Sequence, residues 1–78
     1  MIIRLGTYSH LRKTVKEYLD CNPNNEGPYN LNQLVQLTTA PVIVIAIFMK
    51  ELQPSETWLD ERIKTLYEFY GYTGIENG

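Results

Sequence analysis

The chain has 78 residues, a net charge of −2, 44% hydrophobic and 12% aromatic residues, one cysteine and one histidine. That length holds one small core, and that composition is not the composition of a disordered chain. Cys21 has no partner for an internal disulfide, and with His10 alone it cannot complete a Cys/His zinc site, so a disulfide-stapled secreted mini-protein is excluded and a reducing, cytoplasmic setting is expected.

The charge is uneven. Residues 1–20 hold Arg4, Arg12, Lys13 and Lys16 against Glu17 and Asp20, a net +2, whereas residues 51–78 are at −4. An acidic total argues against strong nonspecific nucleic-acid binding, which rests on neutralising phosphates.

Taken in chain order, Met1 to Gly6 carries no apolar stretch of leader length, and Ile2, Ile3 and Leu5 read as a short strand or arm. A first helix starts near Ser9, a good N-cap residue, and runs to about Asp20, with Leu11, Val15, Tyr18 and Leu19 on one stripe. Residues 21–28, rich in Asn, Pro and Gly, read as a loop. Asn30 with Gln33 three residues on reads as a capping box opening a second helix. Pro41 then suits the start of a third.

The apolar run from Val42 to Met49 has two readings. Its β-branched residues favour a buried strand. The helix-forming continuation through Leu52, with Ile45, Met49 and Leu52 at helical spacing, favours a helix. A run from Ala40 to Met49 is about half the length a spanning helix needs, so no membrane role is expected. Pro54 ends the element. Ser55 or Thr57 can cap a last helix to about Tyr70, with Gly71 as its C-cap and Leu59, Ile63, Leu66, Tyr67 and Tyr70 on its stripe. Residues 73–78 read as a loose tail on a single domain spanning 1–78.

Leu34, Val35, Thr39, Ala40, Pro41, Ile45 and Met49 stand where a helix-turn-helix unit places its characteristic residues. Over roughly residues 9–53 the chain thus resembles the helix-turn-helix and winged-helix superfamily. The resemblance implies an all-α fold of about four helices, with room for a short N-terminal strand. The alternative is a small α/β domain with Val42 to Met49 as a buried strand. Two positions depart from the pattern. Thr39 replaces the usual turn glycine, although a β-branched residue resists positive φ. Val42, Ile43, Ala46 and Ile47 occupy the positions that face a major groove, where base edges are read by polar side chains.

Those four residues therefore read as core or as an apolar interface. Trp58 and Phe69 lie off the main stripe of the last helix and, with Tyr72 just beyond it, read as interface anchors or as satellite packing. The basic candidates for a nucleic-acid contact are Arg12, Lys13, Lys16 and Lys50, beside His10, with a solvated helix face as the alternative. No residue group stands out as catalytic, metal-binding or cofactor-binding. The expectation is a non-catalytic protein-interaction module, a small regulator or adaptor that binds another protein or a second copy of itself. The alternative is a DNA-binding transcriptional regulator.

Overall fold

The computed structural model of the chain describes residues 2–76. It is a predominantly all-α domain: β1 (Ile2–Arg4), a 3-10 turn (Leu5–Tyr8), α1 (Ser9–Cys21), α2 (Gly27–Thr38), α3 (Val42–Leu52), α4 (Thr57–Tyr70) and β2 (Gly74–Glu76).

Helix α3 is the centre, packed against α1, α2 and α4. Residues 43–49 are all buried. This settles the segment as helix. A helix turns successive side chains about 100° apart, so a run that is apolar at every position needs cover on all sides, and three neighbouring helices supply it. Strand propensity largely measures how a residue packs on a pleated surface, and here that surface does not exist.

The outer helices bury the stripes expected of them. Val15 and Leu19 of α1 are buried, as are Leu59 and Leu66 of α4, with Leu11, Tyr18, Ile63 and Tyr67 partly buried against the same core. Helix α1 begins at Ser9 itself, with Tyr8 as N-cap and no side-chain cap bond. Its other end is closed by Asn22, whose Nδ2 donates to Tyr18 O at 2.8 Å and whose backbone N–H donates to Leu19 O at 3.2 Å. Helix α4 ends as expected on Gly71 at φ 67°, and Tyr72 N–H returns to Tyr67 O at 3.2 Å.

Helix α2 corrects the expected capping box. It begins at Gly27, three residues earlier, with Pro28 in its first turn, where the missing N–H costs nothing. Asn30 therefore sits one turn inside, 4% exposed, and its Oδ1 has no hydrogen-bond partner. The turn to α3 does place Thr39 in the left-handed region at φ 56°, the geometry that favours glycine. Thr39 N–H donates to Val35 O at 2.9 Å, and Thr38 Oγ1 donates to Leu34 O at 2.6 Å. The helix, left-handed turn and helix order is present over residues 27–52, a local geometry that many folds share.

The first and last described segments meet. β1 and β2 pair in parallel with Ile2 opposite Gly74, Ile3 opposite Ile75 and Arg4 opposite Glu76, and Arg4 Nε lies 3.4 Å from Glu76 Oε2. The stretch read as a loose tail from Thr73 thus carries a strand at 74–76; its last two residues lie outside the described residues.

Candidate functional site

The apolar helix surface expected at α3 is not a surface. Ile43, Ala46 and Ile47 are buried by the chain's own helices, and Val42 is half-buried. Of the two readings, core packing describes Ile43, Ala46 and Ile47, whereas Val42 keeps part of its side chain in solvent. The same burial removes α3 as a reader of base edges, because its groove-facing positions have no access to a duplex.

The basic residues are mostly engaged. Arg12 Nη2 donates to Glu51 Oε2 at 2.6 Å, and its guanidinium lies 5.2 Å from the centre of the Phe48 ring. Lys16 pairs with Asp20 at 3.2 Å along α1. Lys50 donates to Pro54 O at 2.7 Å and to Asp60 at 3.0 Å, tying α3 to the start of α4. Lys13 is exposed on α1. Such exposed pairs are worth about 0–1 kcal/mol each, so they trim the charge of this face more than they stabilise the fold.

Trp58 is half-buried against the start of α2. A Cβ built at Gly27 would lie 2.4 Å from its Cζ2. Glycine is therefore required there for close approach, a signal that a loop reading of Gly27-Pro28 passes over. The indole Nε1 donates to Glu56 Oε2 at 3.0 Å. Trp58 also lines an open cleft of about 370 Å³ with Pro28, Leu31 and Arg62. It lies at the opposite end of α4 from Phe69, so the three aromatics expected together do not form one patch.

At the C-terminal end of α4 the aromatics do gather. Phe69 is 78% exposed and Tyr70 53% exposed. Their rings stand 4.8 Å apart at 75°; Tyr70 is 5.8 Å from Tyr72, and Tyr72 is 6.0 Å from Tyr67 at 86°. These are edge-on and tilted contacts of the kind aromatic quadrupoles favour. Phe69 and Tyr72 are thus brought together through Tyr70, which the stripe pattern had assigned to the core. Tyr70 instead lies past the last buried position of α4, Leu66. Burial raises the Tyr67 phenol above its usual pKa.

The sheet adjoins this cluster in sequence and adds apolar surface: Ile2 and Ile75 are both exposed. Beside β1 runs an open cleft of about 280 Å³, floored by Ile3, Pro41, Ile43 and Val44 and flanked by Tyr72 and Arg4. Ile43 and Val44 thus reach this cleft from the core side. Sequence reasoning missed Ile2, Ile75, Tyr70 and Arg4, because nothing local says that the two chain ends meet.

Among the described residues, no group of three or more His, Cys, Asp or Glu is placed to hold a metal ion, and no helix is long and apolar enough to cross a membrane. Cys21 is an exposed thiol at the end of α1. No protein-family model, no curated protein and no solved structure matches this chain.

Proposed function

We propose that this chain is a non-catalytic interaction module that binds another protein at the end of the fold where β1, β2 and the last turn of α4 lie. The exposed aromatic pair Phe69 and Tyr70 carries the reading. A small chain that buries fifteen apolar residues among those described leaves these two rings in solvent, at a position where both can make contacts and neither supports the core. Aromatic side chains bring large contact area at low entropic cost and dominate the energetics of many interfaces.

The duplex-binding alternative has less support. Three of its four cations are held by carboxylates, and the helix that would enter the groove is covered.

The test is capture of protein partners by the immobilised chain after nuclease treatment, compared with the Phe69→Ser, Tyr70→Ser double variant. The expected result is a folded variant, by circular dichroism, that loses at least about tenfold of the captured partner. Equal capture by both proteins would refute the site. Light scattering of the free chain separates a second copy from a different partner.

A further inference from the structure

The cleft beside β1 has features that define what fits it. Its lining includes Ile2, Ile3 and Arg4 in succession, and none of residues 74–76. Successive strand residues point to opposite faces, so a cleft that touches three in a row runs along the strand's edge, on the side away from β2. Among the described residues, β1 has a strand neighbour on one side only. A strand edge without a neighbouring strand is the template to which an extended segment adds.

The floor is apolar, from Ile3, Pro41, Ile43 and Val44, and its volume of about 280 Å³ lies just under the roughly 300–1,000 Å³ of small-molecule pockets. That is room for an aliphatic side chain delivered by a peptide. The charge is one-sided as well. Among the described residues no Asp or Glu lines the cleft, and Arg4 does. Arg4 is 73% exposed in its side chain and pairs with Glu76 through Nε at 3.4 Å, a guanidinium with five N–H donors of which a single carboxylate takes at most a few. A carboxylate finds donors there.

We propose that this edge takes a short, extended, acidic–apolar peptide segment, which adds as a strand beside β1, places an aliphatic side chain over Ile43 and Val44, and sets a carboxylate on Arg4. This rests on the interaction-module reading and names the partner class for that end of the fold. Main-chain bonds would give affinity and the cleft with Arg4 would give selectivity, the division of labour usual in strand addition. A second copy fits less well. Three residues of strand offer a folded second copy few main-chain bonds, whereas an extended peptide can follow the whole cleft.

The probe is a capped pentapeptide of alternating leucine and aspartate, titrated to about 1 mM into the full isotope-labelled chain and followed by amide and methyl shifts. Three comparison peptides accompany it: aspartate replaced by lysine, aspartate replaced by asparagine, and the central amide N-methylated. The expected result is saturable shifts at Ile2, Ile3, Arg4 and Val44, weakened at least about fivefold by lysine or by N-methylation. Arg4→Gln should weaken the aspartate peptide to the level of the asparagine peptide and leave the latter unchanged. Absence of shifts at about 1 mM, shifts confined to Phe69 and Tyr70, equal binding of the lysine peptide, or β1 shifts that follow the chain's own concentration would each overturn the proposal. The peptide comparisons use the unaltered chain, so they stand even where Arg4→Gln disturbs the sheet. Failure here with intact Phe69- and Tyr70-dependent capture removes the peptide class and leaves the module; loss of that dependence removes the module.

Discussion

In α3, residues 43–49 are at most 7% exposed; in the last turn of α4, three residues past the buried Leu66, Phe69 is 78% exposed. Both regions are apolar, and both lie at helical positions. They differ in what surrounds them. α3 touches every other helix, whereas the last turn of α4 runs past the core and is followed by a strand that pairs only with β1. A two-stranded sheet of three-residue strands is marginal by itself. The contrast teaches that apolar character marks where a side chain is costly to leave in water, and that the count of neighbouring elements decides whether it is core or surface.

The contrast breaks first, if it breaks at all, at α3. Ile47→Asp, or Ile43→Asp, places a carboxylate among three helices with no partner, and the expected outcome is loss of the cooperative thermal transition in circular dichroism, a penalty of several kcal/mol against a total stability of about 5–15. A chain that stays folded with either change would restore the surface reading of that face.

Gly27→Ala comes next. Its Cβ would strike the Trp58 indole at 2.4 Å, and the ring is held by Glu56, so the expected cost is about 1–3 kcal/mol, read by denaturant titration of the indole fluorescence. Thr39→Gly is smaller and opposite in sign. Relief of a left-handed β-branched residue, less the entropy that glycine adds to the unfolded chain, should stabilise by about 0.5–1 kcal/mol, seen as a raised midpoint at unchanged m-value. The smallest effect should come from Phe69→Ser, within about 0.5 kcal/mol of the parent in the same titration, because that ring supports nothing in the core. A loss of more than about 2 kcal/mol would mean that the aromatic cluster is structural.

Much of the fold could be read from local pattern. The stripes at Leu11, Val15 and Leu19 and at Leu59, Ile63 and Leu66 face the core because helical periodicity is set by the backbone and needs no distant partner. Gly71 at the end of α4 and the left-handed turn at Thr39 are local too. The start of α2 was misplaced because two opposed signals met there: Asn30 is a good cap, and Gly27-Pro28 is both loop chemistry and a sound first turn. Packing of Trp58 on Gly27 accompanies the longer helix. The candidate site was readable only in part. Phe69 stands off the stripe and Tyr72 beyond the helix end, but Tyr70 stands on the stripe, and no periodicity shows that the stripe outruns the core.

By itself the sequence determined the apolar faces of α1 and α4, which follow from residue type and spacing along one stretch of chain. Only the tertiary structure decided that α3 is covered by its own neighbours rather than by a partner, and that Ile2–Arg4 lies beside Gly74–Glu76. Both are facts about segments far apart in sequence. Their energy comes from removing shared surface from water and from pairing backbone groups across the gap, and neither quantity exists until the chain has closed on itself.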